Sequence, residues 1–480
     1  MPLHSRFYLS WFVLSLIAGN LAALHAAAPG NPILVASLSA LKGAISRAEP
    51  GDTILLKDGV YTTSSQITVK RGGAAGKPVT IAAEHDGGAE IAGSSGFTIS
   101  EPAEHVVIYG FKLTHAAGKN TVAAGTQHVR FTRNTFRCAG DGSYLSISGD
   151  DVQIDYNDFA EKNTAGAMVA IGGTGGQVAR RVWIHHNYFH DLTSGVATPA
   201  EMIRFGLSNS ALSTGKGVVE HNLFARCRGE SELISNRSSG NIYRYNTFLD
   251  SPTAKFSLRH GNDCEVYGNI FKNTEGLRLF GDRHQVYSNY FEGNYIGINL
   301  GNGSVDVSAG GAANGMDRPD DCIIVFNTFV DNRTHYQMSR RTVDPLGARN
   351  ITVANNVFSG GGVAARIEGP YQGAVWSGNL VWTKAGAGDI PANGFTAKDP
   401  RLEPGPGGLK RPPPGAAATD SAVGSFPMVK TDIDGQPRGA QPNLGADELS
   451  NEPVSATLLS PADVGPGSKS RGRTSTGRAP

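Results

Sequence analysis

Two stretches of the sequence, VVEHNLFARC at residues 218–227 and VYSNYFEGN at residues 286–294, share a form that returns along the chain. In each, residues of alternating polarity lead to an Asn, an aromatic residue follows two positions later, and a polar turn ends the unit. The triplet Asn-x-Phe begins at residues 134, 157, 187, 222, 246, 269, 289, 327 and 356, and a degenerate copy begins at Asn379. Successive Asn residues are 20–24 apart in five cases and 29–38 apart in four. The longer spacings indicate the same unit with inserted loops.

This repeat predicts an all-β protein, a right-handed parallel β-helix. Short alternating runs between Gly, Asn and Asp turns are typical of strands, and one unit of this length makes one coil of a solenoid. Aromatic residues at one phase would stack inside, and Asn residues at one corner would form an amide ladder. A β-propeller and a β-sandwich fit the repeat less well. Propeller blades repeat every ~40–50 residues, and the strands of a sandwich do not carry one motif at a constant position.

The domain boundaries follow from changes in composition. Residues 1–28 have the layout of a secretory signal peptide, with Arg6 before an apolar run and small residues after it; a membrane anchor is the alternative. Residues 29–450 are the predicted solenoid, with a cap helix over residues 37–48 and an extension from about residue 395 that folds back along it. Residues 451–480 are predicted to be a disordered polar tail.

The overall composition excludes several classes of protein. The 480 residues include 62 Gly without a Gly-X-Y period, which excludes collagen and disfavours long helices. Lys and Arg number 43 against 42 Asp and Glu, so the net charge of +1 predicts no general attraction to nucleic acid or membranes. We expect a secreted or periplasmic monomer with no membrane span once the signal is cleaved. Its four cysteines are expected to be buried thiols.

Charged residues of both signs concentrate between residues 201 and 283. Glu230 and Glu232 differ by two positions, so on a strand they face the same side, an arrangement that suits a calcium ion. Arg237 and Arg259 are 22 residues apart, about one coil, and should lie on neighbouring strands. Paired cations beside paired carboxylates predict a receptor for an anionic polymer.

The same region resembles a known family. The segments NLFARCRGESELISNRSSGNIYRYNTF (222–248), FSLRHGND (256–263), GLRLFGDRHQVYSNYF (276–291), AEMIRFG (200–206) and ALKGAISRAEPGDTILLKDGVY (40–61) are similar to polysaccharide lyase family 6, which includes alginate lyases and chondroitinase B. The likeness covers roughly residues 32–380. It implies a lyase that cleaves a uronate-containing polysaccharide, alginate first, by β-elimination on a parallel β-helix.

The resemblance also implies roles for individual residues. Glu230 and Glu232 match the carboxylates that hold calcium, and Arg259 matches the acid that protonates the leaving oxygen. Arg237 stands where the family carries a Lys base, and the third calcium ligand, an Asn, falls near Thr198, which offers only a hydroxyl. The remaining candidates are substrate-binding residues: Glu201, Arg204, Lys255, His260, Arg283 and His284.

These departures leave alternatives open. Because the pKa of Arg lies above ~12, Arg237 is a poor base, and Lys255, His260 and His284 are alternative bases. Arg204 and Arg237 could neutralise the substrate carboxylate without calcium. Glu230 and Glu232 could instead form a structural ion-pair network with Arg204 and Arg228. At the level of function, the alternatives are a non-catalytic polyuronide-binding β-helix and a C5-epimerase or glycoside hydrolase on the same scaffold.

Overall fold

The structure is a computed structural model that describes residues 32–193, 200–228 and 232–468. Within these ranges the chain winds as a right-handed parallel β-helix, as the repeat predicts. Each coil contributes one strand to each of three long parallel sheets, which we call A, B and C, of 14, 14 and 12 strands among the described residues.

Sheet A consists of Ile33–Val35, Thr53–Leu56, Val79–Ala83, Glu104–Tyr109, Gln127–Thr132, Gln153–Asp155, Trp183–His185, Val218–Glu220, Ile242–Arg244, Glu265–Tyr267, Gln285–Tyr287, Ile323–Val325, Thr352–Ala354 and Val375–Ser377. Sheet B consists of Gly59–Thr63, Ala89–Gly93, Lys112–Leu113, Thr135–Phe136, Asp158–Ala160, Tyr188–Leu192, Leu223–Cys227, Thr247–Ser251, Ile270–Thr274, Tyr290–Glu292, Thr328–Val330, Val357–Ser359, Asn379–Trp382 and Phe395–Ala397. Sheet C consists of Ile67–Val69, Phe97–Ile99, Thr121–Val122, Leu145–Ile147, Val169–Ile171, Ile203–Phe205, Glu232–Arg237, Lys255–His260, Leu277–Leu279, Ile296–Leu300, Thr334–Met338 and Val363–Ile367.

Smaller elements lie in the turns and at the end of the solenoid. Three two-stranded pairs are Gly173–Thr174 with Gln177–Val178, Ala348–Arg349 with Tyr371–Gln372, and Glu403–Pro404 with Lys410–Arg411. Short 3-10 helices cover Ser208–Ser210, Ala392–Gly394 and Pro406–Gly408.

The repeated Asn residues form the predicted ladder at the corner between sheets A and B. Each Asn side chain donates from Nδ2 to Oδ1 of the Asn one coil on, at 3.0 Å, from Asn134 to Asn379. The same Oδ1 also accepts the preceding Asn's backbone N–H. The ladder therefore satisfies buried turn groups that would otherwise lack hydrogen bonds.

The aromatic residues of the repeat stack inside the solenoid. Ring centroids lie 4.4–5.0 Å apart along the series Phe136, Phe159, Phe189, Phe224, Phe248, Phe271, Phe291, Phe329 and Phe358. All nine are fully buried, and the four cysteines are buried as well. The Asn ladder and the Phe stack together fix the register of the coils.

An α-helix, Leu38–Arg47, closes the N-terminal end. Its N-cap is Ser37, whose hydroxyl accepts the backbone N–H of Ala40 at 3.1 Å. Leu41 and Ile45 are buried against the first coils. The cap helix thus agrees with the sequence prediction to within a residue at each end. The predicted signal peptide lies outside the described residues.

The C-terminal segment runs back along the outside of the solenoid. Leu409, Ile433 and Ala446 are buried against Ile270 and Tyr290 of sheet B. Residues 451–468 differ from the predicted disorder. Val464 packs with Tyr188 and Leu223, so even this polar stretch carries apolar side chains that cover sheet B. Residues 469–480 lie outside the described ranges.

No helix in the part of the chain that the structure describes combines the length and apolar character needed to cross a membrane.

Candidate active site on sheet C

The candidate site is built on the outward face of sheet C. Arg204 pairs in register with Ser235 on the next strand, Ser235 with Ser257, and Ser257 with Arg278, so these four form one row across successive coils. Side chains alternate along a strand, so the outward residues two positions beyond Ser235 and Ser257 are Arg237 and Arg259. Four arginines from four successive coils therefore meet on one surface.

Two carboxylates lie beneath these arginines. The side chains of Glu201 and Glu232 are each only 1% exposed. Arg237 donates from Nη2 to Oε1 of Glu201 at 3.3 Å. Oε1 of Glu232 accepts from Arg259 at 3.3 Å and also from Arg278. The buried carboxylates hold the guanidinium groups in place while the guanidiniums stay partly exposed.

Two hydroxyls complete the support. Nε of Arg237 donates to Oγ of Ser235 at 3.1 Å, and Nε of Arg278 donates to Oγ of Ser257 at 3.0 Å. Ser235 lies two residues before Arg237 on the same strand, and Ser257 lies in register with Arg278 on the adjacent strand. The two hydroxyls therefore orient the guanidinium planes of these arginines. Preorganised donors of this kind are what an anionic ligand requires.

Burial changes the acidity of the groups at the centre. It raises the pKa of Glu201, and Oε2 of this residue is buried without a hydrogen-bond partner. Burial also lowers the pKa of Arg237, and the neighbouring charges of Arg259 and Arg204 lower it further against the opposing effect of Glu201. Arg237 thus loses its proton more readily than an exposed arginine does.

His260 and Lys255 lie on the same strand as Arg259 but differ from it in exposure and pairing. The His260 ring is buried, with Nε2 3.3 Å from Oγ of Ser208. Burial and the two adjacent arginines lower its pKa to about 4, so it is neutral at pH 7. Lys255 pairs with Glu275. Neither residue is placed as openly as Arg237.

The structure does not support the predicted substrate-binding role of His284. The residue is fully buried, its Nδ1 accepts the backbone N–H of Cys264 at 3.1 Å, and its Nε2 donates to the carbonyl of Phe280 at 2.9 Å. Both ring nitrogens are therefore used within the turn after sheet C. The prediction was wrong because a His that satisfies a turn and a His that faces a ligand look alike in sequence.

Arg283 is also placed away from the arginine row. It lies on the same turn and forms a paired contact with Asp263, at 2.7 and 2.8 Å. Within the described residues it has no ion pair with Glu201 or Glu232.

Two of the predicted calcium ligands cannot be placed. Glu230 and the Thr198 position lie outside the described residues, whereas Glu232 is described and accepts from two guanidiniums. The structural network proposed as the alternative is therefore partly present, but Glu232 pairs with Arg259 and Arg278 and not with Arg204 or Arg228.

Arg278 is the site residue that the sequence prediction missed. It stands inside the quoted segment GLRLFGDRH, 21 residues after Ser257 and 74 after Arg204. Alignment of successive coils by their Asn residues does not reveal it, because Ser257 lies 11 residues after Asn246 whereas Arg278 lies 9 residues after Asn269.

A comparison of the sequence with protein families identifies the family of this chain. The chondroitinase B family matches residues 35–357, about two thirds of the chain. The chain belongs to the chondroitinase B family. No curated protein sequence matches.

Solved structures share the fold of this chondroitinase B family member at low sequence identity. The PL6 family alginate lyase AlyGC is 23% identical, with a TM-score of 0.69 over 88% of this chain and 59% of its own. A mannuronic acid specific family 6 lyase from human gut microbiota is 23% identical, with a TM-score of 0.64 over 73% and 85%. Pedsa3628 from Pseudopedobacter saltans is 19% identical, with a TM-score of 0.63 over 92% and 100%. The chain thus spans about three fifths of the length of AlyGC.

Proposed function

We propose that the protein is an exported polysaccharide lyase that cleaves a uronate-containing polymer, alginate first, by β-elimination. One observation carries the proposal: Arg237 and Arg259 lie on adjacent coils, partly exposed, and each forms an ion pair with a buried carboxylate. The family to which the chain belongs and the family 6 lyases that share its fold support the same reaction class.

β-Elimination requires three things of this surface. The uronate carboxylate must be neutralised so that its C5 proton becomes acidic, a base must take that proton, and an acid must protonate the O4 leaving oxygen. We assign neutralisation to the arginine row, chiefly Arg204 and Arg278. Arg237 takes the C5 proton in its neutral form, which its lowered pKa makes more accessible, and Arg259 donates a proton to O4.

Calcium would neutralise the uronate carboxylate if it bound beside Glu232. The described residues do not favour this, because four guanidiniums already face two carboxylates and Oε1 of Glu232 accepts from two of them. The buried Oε2 of Glu201, which has no partner, is the one feature that would suit a cation. We therefore propose that arginines and not calcium neutralise the substrate in this protein.

The substrate panel that tests the proposal contains alginate, dermatan sulfate and polyglucuronate, each with and without a chelator. We expect ultraviolet absorbance of an unsaturated product on alginate, unchanged by the chelator, and a loss of roughly 10²–10⁴-fold in kcat for Arg259→Ala. No unsaturated product on any polymer would contradict the proposal, and a product that gains water would indicate a hydrolase.

A second candidate function rests on the arginine at position 237. Arg is a poor base, so the protein could bind the polyuronide without cleaving it. Binding of alginate by a wild-type protein that forms no product would favour this alternative.

Export is part of the proposal. Residues 1–28 carry the signal-like pattern, and we propose secretion to the periplasm or the medium as a monomer. Cell fractionation with N-terminal sequencing of the mature chain tests it, and an uncleaved cytoplasmic chain would contradict it.

A further inference from the structure

An inserted loop beside the active site carries a cluster of aspartates outside the arginine row. Residues 301–322 connect sheet C strand Ile296–Leu300 to sheet A strand Ile323–Val325, and they include Asp306, Asp317 and Asp320. The backbone places this loop against Asp282 of the previous coil. The N–H of Gly281 donates to the carbonyl of Asp317 at 3.4 Å, and the N–H of Arg283 donates to that of Asp320 at 2.8 Å.

Two of the loop aspartates already have cations. Arg318 pairs with Asp306 and lies 3.2 Å from Oδ1 of Asp320. Arg349 reaches Oδ2 of Asp320 at 2.6 Å. These contacts neutralise Asp306 and Asp320 and leave the other two carboxylates of the cluster without a cation of their own.

Asp282 and Asp317 are those two carboxylates, and both residues are buried. Among the described residues, the Asp317 carboxylate accepts the backbone N–H of Val307 at 2.8 Å and that of Arg318, and it has no ion pair. The Asp282 side chain is 4% exposed, and its Oδ1 has no hydrogen-bond partner. Its other oxygen lies 3.6 Å from Arg283, whose guanidinium is engaged by Asp263.

Two buried carboxylates that repel each other destabilise the folded state unless a proton or a cation lies between them. Burial raises the pKa of Asp282 to about 7, and the nearby charges of Asp317 and Asp320 add to the effect. A buried charge without a partner is unfavourable by several kcal/mol. A proton shared by the two carboxylates and a bound cation are the two ways to remove the repulsion.

We propose that a divalent cation of the calcium class binds between the carboxylates of Asp282 and Asp317. Four carboxylates face two guanidiniums in the cluster, so a dication balances the charge. Hard cations take carboxylate, carbonyl and water oxygens in flexible geometry, and the orphaned oxygen of Asp282 supplies such a ligand.

The test is thermal unfolding of the full-length protein, freed of metal with a chelator and then titrated with CaCl2 or MgCl2. We expect calcium to raise the midpoint of the wild type by at least ~2 °C at saturation, and calorimetric titration to give one site. Asp282→Asn should abolish the shift. Glu232→Gln, a charge-removing change in the arginine site outside the pair, should retain it.

Three results would overturn the proposal: a wild-type midpoint that ignores calcium, which indicates a shared proton; an unchanged shift in Asp282→Asn; or a shift lost in Glu232→Gln instead. If Asp282→Asn does not fold, Asp317→Asn provides the same comparison. Because the readout is unfolding and not cleavage, the result is independent of whether the protein proves to be a lyase.

Discussion

Arg237 shows most sharply how one side chain sets the chemistry of the site. Its guanidinium is 18% exposed, rests on the buried carboxylate of Glu201, and has a pKa lowered chiefly by burial. A lysine in its place would lose its proton at least about a hundredfold more readily, since the pKa of an exposed lysine lies at least about 2 units below that of an exposed arginine.

We therefore predict that Arg237→Lys raises kcat at pH 7 by roughly tenfold or more if Arg237 takes the C5 proton. The measurement is the rate of unsaturated product formation from pH 6 to 10, with Arg204→Lys as the matched control on the same face. A fall in activity in Arg237→Lys with no change in the pH profile would assign Arg237 to substrate binding alone.

The positions of the site residues were more predictable from the sequence than their partners were. The spacing of Arg237 and Arg259 correctly put them on adjacent strands, because coil length is readable from the Asn repeat. It did not reveal Glu201 and Glu232 as supports for arginines, nor His284 as a turn residue. Those outcomes depend on burial and on contacts between coils that a single sequence does not show.

At the scale of the element, the Asn ladder is the feature that the sequence predicted most fully. Asn246 shows how many hydrogen bonds one ladder residue makes. Its Nδ2 donates to Oδ1 of Asn269 and to the carbonyls of Val219 and Arg244. Its Oδ1 accepts from the backbone N–H and from Nδ2 of Asn222. Truncation would leave several buried partners unsatisfied, each worth about 1–3 kcal/mol.

We predict that Asn246→Ala lowers the free energy of unfolding by at least about 3 kcal/mol. Asn273→Ala is the control, because Asn273 is exposed and bonds only Asp250 among the described side chains, and it should change stability by less than about 0.5 kcal/mol. Equal effects in urea titrations of the two variants would show that the ladder is not a source of stability.

At the scale of the whole molecule, the C-terminal segment was the least predictable part. The polar composition of residues 451–480 predicted a disordered tail, yet Val464 and Leu459 pack with Tyr188, Leu223 and Leu249 of sheet B. A few apolar side chains spaced along an irregular chain give no periodic signal, so their destination could not be deduced from sequence.

We predict that a chain ending at Asn451 folds but unfolds at lower temperature than one ending at Ser468. The shorter chain loses the buried Val464 side chain and the partly buried Leu459 side chain, which together correspond to roughly 2–4 kcal/mol. Differential scanning calorimetry of the two chains provides the measurement. Identical midpoints would mean that the segment adds no stability.

The buried side chain of His335 makes the free energy of unfolding depend on pH. Burial lowers the pKa of this residue to about 4, below the ~6.5 of an unfolded chain. The folded state therefore binds fewer protons between these values, so its contribution is complete above pH 6.5 and is lost as the pH falls towards 4. The loss is about 3 kcal/mol by linkage.

We accordingly predict that His335→Gln reduces the acid sensitivity of folding. Between pH 7 and 4, the wild type should lose about 3 kcal/mol more of its unfolding free energy than the variant does. Denaturant titrations at several pH values measure this difference, and parallel curves for the two proteins would contradict it.

The residues that lengthen some of the repeat spacings are concentrated in one region of the solenoid. Residues 172–181, 206–217, 301–322 and 339–351 all fall in or beside the turn that leaves sheet C, at the rim of the arginine row. The Asn ladder holds the phase of every coil at the opposite corner, so length added at this rim does not propagate into the sheets. Insertions and deletions at this rim can therefore change the loops beside the arginine row while the Asn ladder, the sheets and the row itself keep their places.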